Sequence, residues 1–301
     1  MKSINVIIWV FGFMTVGTLS AQQPVVAKID SATTAHDSKI EVYQKENIPY
    51  KKPIPYAPIR EADVMYERTI WREIDLRQKQ NYPLYFPIAP TKKIGGRVNF
   101  FTLLMEGIER GEITPYDPFS PSDEFALPIK YANILANPSI RQEDTRETTV
   151  SVYTNRDTVI TIKGRNLLED GNIERIRVKE KYIFDKRHST LIRQVVGICP
   201  VFMFLRPGTD EPVPIPVCWI YMPEARSLLS RHAVFNDFNE AQNMSYDDFF
   251  MQNRYSGRIT KMANIYNNRS ISEYASGLDA LYESKRIEDE IFDWEQDLWE
   301  Y

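Results

Sequence analysis

Three runs with the pattern of strands occupy the middle of the chain, residues 173–184, 191–205 and 215–222, joined through stretches that contain Asp185-Lys186-Arg187-His188 and Pro207-Gly208-Thr209-Asp210. Runs rich in Val, Ile and aromatic residues, bounded by turn formers, read as strands joined by hairpins. A shorter pair, residues 150–153 and 159–163 around Thr154-Asn155-Arg156-Asp157, reads as a further hairpin. The centre of the fold is therefore expected to be an antiparallel meander.

On both sides the pattern turns helical, and the expected class is α+β: an antiparallel sheet, a meander of hairpins, flanked by N- and C-terminal helices. Residues 59–79 carry Glu61 and Asp63 early, Arg77 and Lys79 late, and Val64, Trp71 and Ile74 at i, i+7 and i+10, which predicts a helix. Leu84-Tyr85-Phe86-Pro87 reads as a short extended segment, and residues 99–110 as a second helix ending at Gly111. Tyr116-Asp117-Pro118 and Pro121-Ser122-Asp123 are turn chemistry that would display Asp123, Glu124 and Phe125 on a loop. Pro223 suits the first turn of a helix through 228, and Ser245-Tyr246-Asp247-Asp248 resembles a capping motif opening another through 253. The last helix is expected over residues 279–299, with Leu281, Ile287, Ile291, Leu298 and Trp299 among many charges, Leu281, Ile291 and Leu298 along one side.

The amino terminus points to export. Lys2 precedes an apolar run over residues 4–19 that ends at Ser20-Ala21, the layout of a secretory signal peptide cleaved after residue 21. The first cysteine in the chain is Cys199, so no lipid-modified cysteine follows that cleavage point. Residues 22–55 are polar and close on Lys51-Lys52-Pro53-Ile54-Pro55, which reads as a disordered tether. The folded region is then 56–301, divisible into a helical part, 56–125, and a mixed part, 126–301. With 43% apolar and 12% aromatic residues the chain as a whole is globular, and its formal net charge of −4 argues against nucleic acid as partner. No second stretch is apolar enough for a direct membrane span.

Catalytic and metal signatures are lacking. His36, His188 and His232 have no ligand spacing, and neither cysteine belongs to a CxxC, so no metal or cofactor is expected. Acidic groups such as Asp117, Asp247-Asp248 and Glu288-Asp289-Glu290 lack an accompanying nucleophile elbow or phosphate loop, and read as solvated faces and caps rather than a catalytic pair.

Two features invite geometry. If the turn after 205 is centred between Gly208 and Thr209, Cys199 falls opposite Cys218, within disulfide reach. In an oxidising compartment they would pair, the alternative being two buried apolar thiols. In the last helix Trp294 and Trp299 lie about 140° apart at about 100° per residue, too far to enter one core. Trp294, Leu298, Trp299 and Tyr301 are thus a candidate partner interface, against a plain terminal helix packed on its own domain. Trp71, Tyr82, Tyr85, Phe86, Trp219 and Tyr221 add large amphipathic rings that suit interfaces.

Arg60-Glu61-Ala62-Asp63-Val64-Met65, Trp71-Arg72-Glu73-Ile74-Asp75-Leu76-Arg77 and Pro83-Leu84-Tyr85-Phe86-Pro87 resemble the opening of the gliding-motility GldN (PorN) family of the type IX secretion system. Asp123-Glu124-Phe125, residues 179–197, Trp219-Ile220-Tyr221, Pro223-Glu224-Ala225-Arg226, Val234-Phe235-Asn236, Ser245-Tyr246-Asp247-Asp248-Phe249-Phe250 and the ending from Glu283 continue it, so that it spans residues 56–301. The resemblance implies a non-enzymatic periplasmic subunit. Its implied partners are the outer-membrane lipoprotein GldK (PorK), with which it forms a ring, and the inner-membrane-anchored GldM (PorM). It supplies no active-site residues. The competing class is a periplasmic carbohydrate- or peptidoglycan-binding module that uses the aromatic rings as sugar platforms.

Overall fold

A computed structural model of the chain describes residues 51–88, 97–120, 124–137, 145–150, 157–162, 173–205, 212–236, 239 and 244–297. The segment expected to be a signal peptide, residues 1–21, and the tether up to residue 50 lie outside the described residues. In chain order the strands are β1 (Val64–Asp75), β2 (Pro115–Tyr116), β3 (Thr145–Val150), β4 (Asp157–Ile162), β5 (Ile173–Asp185), β6 (Thr190–Leu205), β7 (Pro212–Pro216), β8 (Trp219–Tyr221), β9 (Ala233–Val234), β10 (Met244–Ser245) and β11 (Arg258–Met262). The helices are α1 (Tyr82–Tyr85), α2 (Phe100–Glu109), α3 (Tyr131–Leu135), α4 (Met222–Leu229), α5 (Tyr246–Met251) and α6 (Leu278–Asp297).

The long hairpin of β5 and β6 is the centre, paired from Asp185↔Thr190 to Ile173↔Phe202. Along β5 the residues Ile176, Val178, Glu180 and Tyr182 are buried while those between are half-buried, the alternation that one packed sheet face imposes. The order is β11-β1-β5-β6-β8-β2, with β7 also on β6, so the class is α+β with a mostly antiparallel sheet.

The helix expected over residues 59–79 is instead a strand, β1, inserted between β5 and β11. Val64, Trp71 and Ile74 fit a helical face, but Tyr66, Ile70 and Ile74 also fit a period of two. Ile70 lies opposite Glu180 and Ile74 opposite Ile176, and that long-range pairing decides a segment whose local pattern is ambiguous.

Residues 82–85 form a helical turn, with extended backbone only from Phe86. The first hairpin pairs residues 145–150 with 157–162, Val150 opposite Asp157, so its first strand lies N-terminal to the expected one. The third strand run divides into β7 and β8, and Met222 already belongs to α4. The helix at residue 99 forms as expected: the Asn99 side chain accepts from the Thr102 amide at 2.7 Å, and Gly111 takes the left-handed conformation, φ 73°, that releases the chain. Ser245 and Asp248 form the full capping box of α5.

All six helices contribute to one side of the sheet. Leu84, Phe100, Leu103, Leu104, Ile134, Leu228, Leu229, Phe249 and Phe250 pack with Ile176, Val178, Ile198 and Phe202. At the other end of the same face, Ile287 and Ile291 of α6 cover Ile70, Tyr182 and Ile259. Between the two clusters lies a buried polar group, with Glu180 accepting from Arg193 Nη2 at 2.7 Å and the Tyr255 hydroxyl at 2.8 Å.

Candidate interaction surfaces

The second face of the sheet is charged. The alternation that sends Ile70, Arg72 and Ile74 into the core sends Glu67, Thr69, Trp71 and Glu73 the other way, beside Arg175, Arg177, Lys179 and Lys181 of β5 and Arg258 and Lys261 of β11. Glu73, only 7% exposed, accepts from Arg175 Nη1 and Arg258 Nη2 at 3.0 Å each, with Arg177 Nε at 3.6 Å. Glu67 accepts from Lys181 Nζ at 2.6 Å. The spacing 175, 177, 179, 181 within an expected strand was the signal for this stripe, and reading the segment only for its apolar residues missed it.

Glu124 and Phe125 are docked on this face rather than displayed. Glu124 accepts from Trp71 Nε1 at 2.7 Å and Lys179 Nζ at 2.8 Å, and Lys261 Nζ stands 4.0 Å above the Trp71 ring. Phe125 meets Tyr116, Trp219 and Tyr221 edge to face. Its ring fills the space a side chain at position 197 would need, which is why glycine stands there. Trp71 and Trp219 are 7% and 6% exposed, so neither is the surface ring its type suggested. Asp123 lies outside the described residues.

The C-terminal helix has two apolar stripes. Ser284, Ile287 and Ile291 are buried on the sheet. Trp294 continues that stripe, stacked on Tyr66 with centroids 3.9 Å apart and edge-on to Phe184 at 5.4 Å. Trp294 therefore packs on its own domain; Leu298, Trp299 and Tyr301 lie outside the described residues. Leu281, expected beside Ile291, is 48% exposed, and with Leu278, Tyr282 and Phe292 it forms a second stripe in solvent. At about 100° per residue these four fall within about 100° of arc opposite the buried side.

Cys199 and Cys218 are both free thiols, fully buried. The mirror relation holds for β7, where Val201 faces Pro216, but the register slips by one before β8, where Ile198 faces Ile220. Burial pushes the Cys199 thiol up to about 12, and Cys218 is also raised by burial, with Cys199 as its neighbour. His232 Nδ1 lies 3.0 Å from the Leu228 carbonyl.

The segments Pro223-Glu224-Ala225-Arg226 and Ser245-Tyr246-Asp247-Asp248 meet in a clasp. Arg226, 4% exposed, grips Asp247 through Nε at 2.7 Å and Nη2 at 3.1 Å, and also donates to the Ile54 carbonyl. Its guanidinium lies 4.1 Å over the Tyr56 ring. Burial alone would lower that guanidinium, yet the bond to Asp247 holds it above its ordinary value. Lys51 reaches Asp248, and the Ser230 hydroxyl donates to the Lys51 carbonyl at 2.9 Å. The proline-containing segment is thus bound where it reaches the domain.

Among the described residues no cluster of three or more His, Cys, Asp or Glu could hold a metal ion, and no helix is long and apolar enough to cross a membrane. The family model for gliding motility associated protein GldN matches residues 59–300, and the chain belongs to that family. No curated protein matches it.

Proposed function

From membership of the GldN family, a structural component of the gliding-motility and type IX secretion machinery, we propose that the chain is a non-enzymatic periplasmic subunit. In this reading residues 1–21 direct export and are removed. The mature chain assembles with an outer-membrane lipoprotein of the GldK (PorK) type into a ring, next to an inner-membrane-anchored GldM (PorM) protein. It is held at the outer membrane through the lipoprotein and crosses no membrane itself.

The observation that carries this is the match across residues 59–300, which takes in the whole sheet and every helix described. The family motifs do structural work: Arg226 and Asp247 clasp two helices, and Glu124 and Phe125 close over the sheet. The sugar-platform reading loses its two tryptophans, because Trp71 and Trp219 are buried, and of the rings named with them only Tyr82, Phe86 and Tyr221 are exposed. Export also keeps a Cys199–Cys218 disulfide in the proposal, formed during folding, since burial suppresses the reactive thiolate afterwards. Thiol labelling of the denatured, unreduced mature chain is expected to find no free thiol, and two would contradict the pairing.

The assembly reading is tested by tagging the chain at its native locus, solubilising the envelope in detergent and identifying what co-purifies. A lipoprotein of the GldK type is expected. Recovery of the chain alone from the soluble periplasmic fraction would overturn the reading.

A further inference from the structure

The charged sheet face and the C-terminal helix are complementary, and they lie on opposite sides of the same sheet. Of the cations on the face, Arg175, Arg177, Lys181 and Arg258 have side chains 27%, 35%, 39% and 53% exposed. With Lys179 and Lys261 they make six cations against the four carboxylates of Glu67, Glu73, Asp75 and Glu124, in a chain whose formal net charge is −4. Helix α6 reverses this: Asp279, Glu283, Glu288, Asp289, Glu290, Asp293, Glu295 and Asp297 outnumber Lys285 and Arg286. Its solvent side adds the unpartnered stripe of Leu278, Leu281, Tyr282 and Phe292, which are 69%, 48%, 72% and 58% exposed.

One chain cannot bring these surfaces together, because α6 packs through Ile287 and Ile291 on the face opposite the cations. A second copy can. We infer that the cationic sheet face of one copy receives the acidic, apolar outer side of α6 from the next, a head-to-tail contact of the chain with itself. Such a contact uses two different patches and leaves one of each free, so it propagates and closes into a ring where the rotation permits. The apolar stripe supplies area, and the opposed charges fix orientation and speed encounter. The inference rests on the assembly reading above and adds to it the two surfaces by which copies meet.

The test is a charge swap in the full mature chain. Arg177→Glu with Lys181→Glu makes both patches acidic; Asp289→Lys with Asp293→Lys, next to Lys285 and Arg286, turns the outer side of α6 around the apolar stripe basic while the sheet face stays basic. All four positions are half-exposed or exposed, so each double variant is expected to fold, with a lower melting temperature for the first because Arg177 and Lys181 pair with Glu73 and Glu67; association is measured well below each variant's own melting temperature. Sedimentation of the purified chain, alone and with its co-purifying lipoprotein, is expected to show self-association of the wild type weakening as salt rises. Each variant alone should self-associate at least about tenfold more weakly. An equimolar mixture of the two should regain it, because each unlike contact again pairs acid with base.

Variants that associate like the wild type, a loss not restored by mixing, or a wild type that stays monomeric alone and with the lipoprotein would each overturn the inference. Lipoprotein capture is scored separately. If the variants still bind the lipoprotein while self-association is unchanged, this surface assignment fails and the assembly reading stands; if the wild type captures none, the assembly reading itself fails.

Discussion

Replacing Glu180 should cost more stability than any other single carboxylate change in this chain. Glu180 sits on the packed side of β5, fully buried, and ties three strands and a loop together. Arg193 of β6 grips it through Nε at 3.1 Å and Nη2 at 2.7 Å, Tyr255 donates at 2.8 Å, and Arg72 of β1 approaches at 3.4 Å. Arg72 is itself committed to the Gly257 carbonyl at 2.6 Å and lies 3.4 Å from Glu288 of α6. Glu180→Ala would leave two guanidinium groups facing one another without their shared carboxylate, and removing one partner of a buried ion pair costs about 3–5 kcal/mol. For a domain of this size about 1 kcal/mol moves the melting temperature by about 2–4 °C, so a fall of roughly 6–20 °C is expected. Glu180→Gln keeps the shape and one acceptor and should lose less, about 1.5–3 kcal/mol. Denaturant unfolding of the two variants beside the wild type measures both. A loss below about 1 kcal/mol for Glu180→Ala would show that the group contributes no net stability and refute the reasoning.

Trp294→Ala removes a stacked and an edge-on ring contact and should destabilise by about 2–3 kcal/mol, any loss of assembly tracking the loss of fold; assembly lost at an unchanged melting temperature would contradict this. A chain beginning at residue 51 should melt with the full mature chain, whereas one beginning at residue 57 loses Lys51, Ile54 and Tyr56 from the clasp around Arg226 and Asp248 and should lose about 1–3 kcal/mol by the same assay. Burial holds His232 below its ordinary value, so the folded state disfavours its protonation. Its contribution is complete above the unfolded value of about 6.5 and is lost as pH falls through and below it. Melting temperatures between pH 7.5 and 5.5 should therefore fall on acidification, and His232→Gln should flatten that fall.

The middle of the chain was legible because its pattern is locally decisive. Residues 173–205 carry long β-branched runs around a turn, and they form the hairpin that the sequence implies. Asn99, Gly111, Pro223 and Ser245 mark helix ends because capping is a property of a few adjacent groups. Residues 64–75 were not legible: helical and strand spacings both fit, and only β5, more than a hundred residues away, chooses between them. The candidate surfaces were harder still. Glu124 and Phe125 lie amid turn formers that suggest display, and nothing local announces that Trp71, Lys179 and Gly197 will receive them. Trp294 and Leu281 exchanged the expected roles because a helix's buried stripe is fixed by the sheet beneath it, and Ser284, a small polar residue, marks that stripe as surely as Ile287.

In the proposed assembly this chain works as a structural part of a ring. The most direct test is electron microscopy of particles purified from detergent-solubilised envelope through a tag on this chain. Closed rings holding many copies of the chain together with a lipoprotein of the GldK type are predicted; isolated single copies, or particles lacking that lipoprotein, would contradict it.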